Sequence, residues 1–346
     1  MKQMELKVSF VTPAFLGNAK QQGQWRTPPF KALLRQWWRV AVAKDCGYDT
    51  GELRKREAIL FGAAAGNDEN IGKSKVRLRL KHWSAGKLTE WPQRGFQRID
   101  KQVGADRYLG FGPVSFRGKL EHAPAVDALQ ERNILIIGFS AKCTPEEIDE
   151  ITQAVQLAAW FGAIGGRSSN SWGSLSITAD TISGSLPTVD AVENYTSSLS
   201  SCLERDWASA LASDRDGPLV WTEPVASWQK AINRLGVLRK ESRKSVKDIQ
   251  GQGLIGSHLL GYPIMKPQAR PWIKDARLPN QLRFKVLNSG DGLVLMVAHV
   301  AHGIPNMLWQ KQQERAKDWV AQHQLPVWQR VHSMMDHQMT RLGGGV

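Results

Sequence analysis

Cysteine is scarce in this chain of 346 residues, which contains only Cys46, Cys143 and Cys202. An odd, widely spaced set of three fits neither a disulfide framework nor the closely spaced ligand pairs of a zinc site. We therefore expect reduced, structural cysteines, and neither a metal ion nor a cofactor.

Long apolar runs are also absent. No segment approaches the roughly 20 apolar residues that a membrane-spanning helix needs, and no separate basic amphipathic tail is present that could lie on a membrane surface. Residues 1–5 lead directly into a strand pattern, without the features of a secretory leader. These absences predict a cytoplasmic protein without a membrane partner.

Positive charge, by contrast, is abundant and concentrated in the first third of the chain. The net charge is +14, and residues 1–119 hold 23 Lys and Arg against 10 Asp and Glu, whereas residues 120–346 hold 23 against 22. The content of 42% hydrophobic and 23% charged residues is typical of a globular protein with room for two domains. The asymmetry indicates a polyanionic partner, with nucleic acid favoured over a membrane.

The segment from Trp25 to Arg39 predicts an amphipathic helix that runs to about Lys44. Thr27 is a suitable N-cap, and Pro28 falls at the first helical position. At helical spacing the apolar positions share one face, whereas the cations form a second stripe flanked by Trp38. The apolar face is Phe30, Leu33, Leu34, Trp37 and Ala41, and the stripe is Lys31, Arg35 and Arg39. The stripe could track an RNA backbone while Trp25 or Trp38 stacks on bases; alternatively, it is the solvated face of an ordinary surface helix.

A second basic segment, residues 72–81, predicts a strand. Val76, Leu78 and Leu80 alternate with Arg77, Arg79 and Lys81, which places three cations on one sheet face. Such a face suits contact with backbone phosphates, although a solvated sheet face has the same pattern. Residues 66–74 resemble a P-loop, but five residues separate the glycines where the motif has four, and a strand follows where a helix is required. We therefore expect no nucleotide hydrolysis.

A glycine-rich loop, residues 162–174, follows a helix predicted from Pro145 to Phe161, which begins with a capping box formed by Thr144 and Glu147. The loop combines four glycines with Arg167, small hydroxyl residues and Trp172, so its exposed N–H groups could hold phosphates. A plain connection into the strand at residues 174–179 is the alternative.

The order of elements predicts the fold class. A strand at residues 6–11, the first helix, strands at 76–81 and 133–140, a second helix and a strand at 174–179 match a ferredoxin-like (RRM-type) domain with insertions, over residues 1–183. In residues 184–346 we predict a helix near 225–240, a basic stretch at 239–247, and strands at 259–264, 281–287 and 292–300. A Trp- and Gln-rich helical tail, broken at Pro326, follows from about Pro305. The prediction is an α+β protein whose second ferredoxin-like domain is degenerate.

Several ordered motifs resemble the RAMP proteins of CRISPR systems, and among them the first-subunit family of the type III-B (Cmr) RNA-targeting effector complex. In the second half the matches are shorter. The motifs are Val11 to Gly17, Arg26 to Pro28, Leu34 to Arg39, Glu57 to Gly62, residues 72–76, residues 162–173, Leu260 to Pro263, Arg277 to Pro279 and Leu282 to Val286. One departure concerns the glycine-rich loop, where Asn170, Ser171 and Trp172 stand in place of further arginines. That departure weakens the prediction of phosphate binding by the loop.

The resemblance implies a non-catalytic subunit at the end of the effector that holds the 3′ part of the guide RNA, where it helps to capture target RNA. It implies guide RNA, target RNA, the repeated backbone subunit and the sixth RAMP subunit as partners. Together with the basic segments it gives a set of predicted RNA-binding residues: Arg26, Lys31, Arg35, Trp38, Arg39, Lys73, Lys75, Arg77, Arg79, Arg167, Ser168, Asn170, Trp172, Arg277 and Lys285.

Two other functions remain open on the sequence. Other RAMP proteins process guide RNA, so a metal-independent endoribonuclease with a catalytic histidine is possible; only His299 and His302 cluster, and on one strand they would face opposite ways. A protein-binding module is the second, because tryptophans enrich the C-terminal half. Those tryptophans are Trp207, Trp221, Trp228, Trp272, Trp309, Trp319 and Trp328.

Overall fold

The computed structural model describes residues 2–63, 73–99, 103–264 and 267–344. The P-loop-like stretch at residues 66–72 lies outside these residues. The first half consists of four strands and four helices. In chain order they are β1 (Gln3–Phe10), α1 (Thr27–Val42), α2 (Thr50–Phe61), β2 (Val76–Leu80), α3 (Ala105–Gly110), β3 (Arg132–Phe139), α4 (Pro145–Phe161) and β4 (Leu175–Thr178).

These four strands form one antiparallel sheet with the order β2-β3-β1-β4. Strand alternation turns Leu6, Val8 and Phe10 of β1 into the core that α1 and α4 also line. The residues between them face the other side of the sheet, which no helix of the described part covers: Lys7 there is exposed. One face of the sheet is therefore core and the other is open.

The ends of the two covering helices test the capping predictions. At α4 the predicted box is present: the Thr144 hydroxyl accepts from the Glu147 N–H at 3.2 Å, and the Glu147 carboxylate accepts from the Thr144 N–H at 2.9 Å. At α1 the N-cap position is Arg26, whose side chain makes no cap, and Thr27 is already helical. The Thr27 N-cap prediction is therefore wrong by one residue.

The second half begins with short elements and then repeats a pattern of strands and helices. In chain order they are α5 (Val189–Glu193), β5 (Thr196–Ser198), α6 (Leu199–Leu203), β6 (Leu211–Asp214), β7 (Gly217–Pro218), β8 (Val220–Val225), α7 (Trp228–Lys244), β9 (Gln250–Gly251), β10 (Leu254–Ile255), α8 (Gly256–Leu260), β11 (Leu282–Asn288), β12 (Leu293–His299), a 3-10 turn (Asn306–Leu308), α9 (Glu314–Asp336) and β13 (Thr340–Arg341).

The second large sheet has the order β11-β12-β8-β13 and is antiparallel throughout. It thus repeats the first sheet: in each, the strands occur in the chain order second, third, first, fourth, with a long helix after the first strand and another after the third. The α+β class is confirmed. Unlike the first sheet, the second is covered on both faces, because Phe284, Lys285 and Val286 of β11 are all buried.

Several element predictions are wrong. Helix α2 has no counterpart among the predicted elements, and its start is capped by the Asp49 carboxylate, which accepts from the Glu52 N–H at 2.6 Å. Residues 259–260 end α8 instead of opening the strand predicted at residues 259–264. Helix α9 continues through Pro326. Within the described ranges, every helix is too short or too polar to cross a bilayer.

Candidate nucleic-acid interface

The cationic stripe of α1 is bound to a carboxylate of α2. Arg35 Nε lies 2.6 Å from Glu57 Oε1, and Arg39 donates to both Glu57 oxygens, at 2.6 and 2.8 Å. The Glu57 side chain is 7% exposed, against 37% and 41% for the two arginines. Burial raises the pKa of Glu57, but hydrogen bonds and charges from Arg39 and Arg35 outweigh it and hold that pKa below its usual value. The prediction of a free stripe is therefore wrong for these two arginines.

The other predicted residues of α1 are also engaged. Lys31 Nζ donates to the Phe61 carbonyl at 3.0 Å, and Arg26 Nη1 donates to the Gly17 carbonyl at 2.8 Å. Trp38 is fully buried, and its Nε1 donates to Glu150 at 2.9 Å. Trp25 is equally buried. The prediction that either tryptophan stacks on bases is wrong, because both indoles are buried inside the protein.

The open face of the first sheet presents the predicted cations of β2. Arg77 and Arg79 are exposed, as is Lys73 just before the strand, whereas Lys75 is paired with Glu147 at 2.6 Å. The register places Arg79 beside Ile136 and Arg77 beside Gly138, both on β3. Strand alternation puts Lys81 on the same face. The prediction of three cations on one exposed sheet face is confirmed.

Two cations of this face escaped sequence reasoning. Lys7 of β1 and Arg132 of β3 lie on the same side of the sheet, because Lys7 is opposite Ile134 and Ser9 is opposite Arg132. Lys7, Lys81 and Arg132 line a common cleft with His82. We call Lys7, Arg77, Arg79, Lys81 and Arg132 the sheet-face cations. The alternation of residues 6–11 was a signal for Lys7, whereas the Arg132 position requires the register between β1 and β3.

Glycines of the glycine-rich loop are required by packing. A Cβ on Gly173 would lie 2.0 Å from the Ile164 carbonyl oxygen, and one on Gly165 would lie 2.7 Å from that of Phe15. Both residues also have positive φ, at +68° and +97°. The glycines thus serve close backbone approach within the protein, rather than approach of a ligand.

Two predicted loop residues are buried. Trp172 is fully buried among the aromatic rings of Phe15, Trp91 and Trp228. Asn170 is 6% exposed and donates from Nδ2 to the Leu109 carbonyl at 2.8 Å. The prediction that Trp172 and Asn170 contact RNA directly is wrong, because both side chains are buried and make their contacts within the protein. Ser168 is half-buried.

Arg167 and Arg277, predicted from distant segments, are near enough for the charge of Arg277 to act on Arg167. Both are exposed, and Arg167 Nε donates to the Phe111 carbonyl at 2.7 Å. Burial, together with the nearby charge of Arg277, lowers the pKa of Arg167. Lys285, by contrast, is buried and donates to the carbonyls of Gly162 and Leu175, at 2.6 and 2.5 Å. The prediction that Lys285 contacts RNA is therefore wrong. Its ammonium group instead joins β11 to the backbone at Gly162 and Leu175.

About half of the chain matches a known protein family. The family model of the RAMP superfamily matches residues 7–176, which extend from β1 into β4. The chain belongs to the RAMP superfamily. The search of curated proteins found no match to this chain.

Solved structures similar to this RAMP protein include Cmr1 and chains of a type III-B Cmr-beta complex. Cmr1 from Pyrococcus furiosus in its apo form is 14% identical, with a TM-score of 0.46, covering 94% of this chain and 98% of that one. A chain of the type III-B Cmr-beta complex bound to cognate target RNA is 13% identical, with a TM-score of 0.48, covering 95% and 99%. A second structure of that complex, with AMPPnP and in the presence of ssDNA, gives 13% identity and a TM-score of 0.46, with the same coverage.

The histidines considered for catalysis differ in burial: His299 and His302 are buried, whereas His82 is exposed. His299 and His302 are buried and both approach Gln281 Oε1: His299 Nε2 lies 3.4 Å from it, and the His302 N–H donates to it at 3.0 Å. Burial, reinforced by His332 and His302, holds the pKa of His299 well below its usual value. His82 is exposed in the cleft of the sheet-face cations. Among the residues that the structure describes, no second histidine and no carboxylate lines that cleft.

Histidine, cysteine and carboxylate side chains are the groups that could ligate a metal ion. Nowhere in the described ranges do three or more His, Cys, Asp or Glu side chains converge as they would around a metal ion. Cys46 and Cys143 are half-buried, Cys202 is buried, and all three are free thiols.

Proposed function

We propose that this RAMP protein is a non-catalytic, RNA-binding subunit of a cytoplasmic CRISPR type III-B (Cmr) effector complex. It lies where the 3′ part of the guide RNA is held, and it helps to capture target RNA. The ordered motifs shared with the first-subunit family support the place in the complex, and the sheet-face cations support the binding of RNA.

The observation that carries the RNA-binding role is the uncompensated charge of the open sheet face. The five sheet-face cations are exposed, and none forms an ion pair with a carboxylate of the described residues. Glu5 is the one carboxylate that the four strands place on this face. Since each phosphate neutralised by such a cation releases counterions, the face favours a nucleic-acid strand irrespective of its sequence.

We further propose that each half is a ferredoxin-like domain, residues 1–183 and 184–346. The βαββαβ order of elements and the strand orders β2-β3-β1-β4 and β11-β12-β8-β13 support this, because they are those of the split βαβ fold. Short elements around α2, α3 and β5–β7 are insertions.

Co-purification from the native host tests the assembly. A tagged copy of the full chain should bring down a short guide RNA, the repeated backbone subunit and the sixth RAMP subunit. Recovery of the protein alone, under conditions in which the other subunits assemble, would contradict its place in the complex.

A salt series tests RNA binding separately. Filter binding of single-stranded RNA to the purified protein should show little sequence preference and a linear loss of log affinity with log salt, at about 0.7 per phosphate contact. A salt-independent affinity, or no binding at low salt, would contradict the role of the sheet face.

The second candidate function is an endoribonuclease, and His82 is the observation that favours it. This histidine lies beside Lys81 and Arg132, so a base and a phosphate-stabilising cation share one cleft. Metal-independent RNA cleavage also needs a group that protonates the leaving oxygen, and for this the described lining of the cleft offers only Lys7 and Lys81, with no second histidine and no carboxylate. The geometry therefore favours binding over cleavage.

A further inference from the structure

Arginines from the second half surround the glycine-rich loop of the first half. The loop itself contributes Arg167, its only cation, while Arg239 and Arg243 come from α7 and Arg277 comes from the segment before β11. We call these four residues the arginine cluster. Helix α7 packs against α3, which brings its last turns beside the loop.

Contacts of the arginine cluster are made to neutral groups. Arg239 Nη1 donates to Asn170 Oδ1 at 3.0 Å, and Arg243 Nη1 donates to the Tyr108 hydroxyl at 3.3 Å. Arg167 donates to a backbone carbonyl. Throughout the part of the chain that the structure describes, no carboxylate lies within ion-pair distance of any of the four. Four positive charges are thus gathered without an acidic partner.

Burial and mutual repulsion both disfavour the charged form of arginines in the cluster. Burial, followed by the charge of Arg243, lowers the pKa of Arg239 to about 10. Burial and the charge of Arg277 also lower the pKa of Arg167. Arg239 nevertheless remains cationic at neutral pH, because its lowered pKa of about 10 still lies well above 7. A bound anion would relieve this repulsion.

A crevice between α7 and β11 supplies a further unused donor. Arg239 and Arg243 line it together with Asn280. The Asn280 side chain is 9% exposed, and its buried Nδ2 has no hydrogen-bond partner among the described residues. A buried amide donor without a partner costs free energy, and an oxygen ligand would satisfy it.

We propose that the arginine cluster binds a phosphate group of an RNA strand, and this inference rests on the proposed function. Helix α7 supplies the arginines that the glycine-rich loop lacks, so the loop still takes part in phosphate binding. Because the cluster draws on both halves of the chain, the site exists only when the two halves are packed together.

An exposed aromatic pair beside the cluster argues for RNA rather than free phosphate. Phe111 and Phe116 are 45% and 59% exposed, with ring centroids 4.4 Å apart. They adjoin the cluster, since Arg167 donates to the Phe111 carbonyl. Exposed phenyl rings next to phosphate-binding arginines offer a surface on which a base can stack.

One exposed position, Arg277, and one half-buried position, Arg243, allow a test in the full-length protein. Arg277→Ala and Arg243→Gln remove cluster charges without emptying the core, and Arg215→Ala, with a side chain 91% exposed in the β6–β7 turn, is the matched control. In filter binding with single-stranded RNA, each cluster variant should reduce the salt slope by about 0.7, whereas the control should not. Melting curves establish that the variants are folded.

Two further measurements distinguish a phosphate of RNA from free phosphate as the ligand. Phe116→Ala should weaken RNA binding about 5- to 150-fold, against no change for Ile59→Ala, an exposed apolar residue on α2. Inorganic tripolyphosphate should raise the melting temperature of the unaltered protein less than RNA does. A phosphate-dependent shift with RNA affinity unchanged by both cluster variants would assign the site to free phosphate and overturn the proposal.

Failure of the cluster can be told from failure of the proposed function. If Arg77→Ala with Arg79→Ala weakens RNA binding while the cluster variants bind as the unaltered protein does, the sheet face binds RNA and the cluster does not. If the unaltered protein binds no RNA, both proposals are wrong.

Discussion

Arg39 of α1 donates two hydrogen bonds to Glu57 of α2, at 2.6 and 2.8 Å, across the groove between the two helices. This bidentate pair is a geometry in which Arg and carboxylate interact most strongly. Since the Glu57 side chain is almost fully buried, the pair fixes α2 onto α1. The guanidinium group that was predicted to contact RNA has a structural role.

Removal of the two arginines should therefore lower stability more than RNA affinity. We expect Arg35→Ala with Arg39→Ala to reduce the free energy of unfolding by about 1–3 kcal/mol, because Glu57 loses both partners while buried. Urea unfolding and filter binding on the same preparations measure the two effects. Unchanged stability with a flatter salt slope would show that the arginines contact RNA instead.

The matched control for that variant lies on the sheet face. Arg77→Ala with Arg79→Ala removes the same charge from exposed positions without carboxylate partners. We expect stability to change by at most about 0.5 kcal/mol. RNA affinity should fall for all sequences alike, and the salt slope should decrease by about 1.4 for two lost contacts. An unaltered salt slope would remove the main support for the proposed function.

Glu57 should make stability depend on pH in the acid range. Its pKa in the folded protein lies below the usual value near 4.5, so its stabilising contribution is present above that value and is lost as the pH falls through the folded pKa. Glu57→Gln should be less stable than the unaltered protein at pH 7, and the difference should shrink below pH 4.5. A difference that is constant from pH 7 to pH 3.5 would contradict the assignment.

Trp38→Ala should lower the stability of the protein and leave RNA binding by the folded protein unchanged. The indole is fully buried and bonded to Glu150, so we expect a loss of about 3–5 kcal/mol. Trp83→Ala is the control, because that side chain is 55% exposed. Thermal melting gives the stability. If Trp38→Ala leaves the melting temperature intact and weakens RNA binding, the indole stacks on bases after all.

Incubation with a labelled guide-repeat RNA tests the non-catalytic role. We expect no cleavage by the purified protein, because the described lining of the His82 cleft holds no second histidine and no carboxylate, and His299 and His302 are buried. Cleavage that persists in chelator and disappears in His82→Ala would establish the endoribonuclease. Loss of cleavage in His302→Ala, with His82→Ala still active, would place a catalytic site at the buried histidines.

Local patterns in the sequence determined several elements of this protein. The capping box at Thr144 marked the start of α4, and the alternation of cations with apolar residues placed Arg77 and Arg79 on an exposed face. Both features depend on interactions within about four residues, and periodicity reports which side chains share a face. The sheet-face cations on β2 could therefore be predicted before the structure.

The tertiary structure alone decided what covers each face. Helical spacing gives Arg35 and Arg39 the same pattern whether they meet water or a carboxylate, and Glu57 lies 18 residues beyond Arg39 in a helix with little apolar periodicity. Trp38 is buried by Glu150 and Phe61, which belong to two other helices. The arginine cluster joins residues more than 100 positions apart, because the packing of α7 against the first half, rather than any local pattern, brings its charges to the loop.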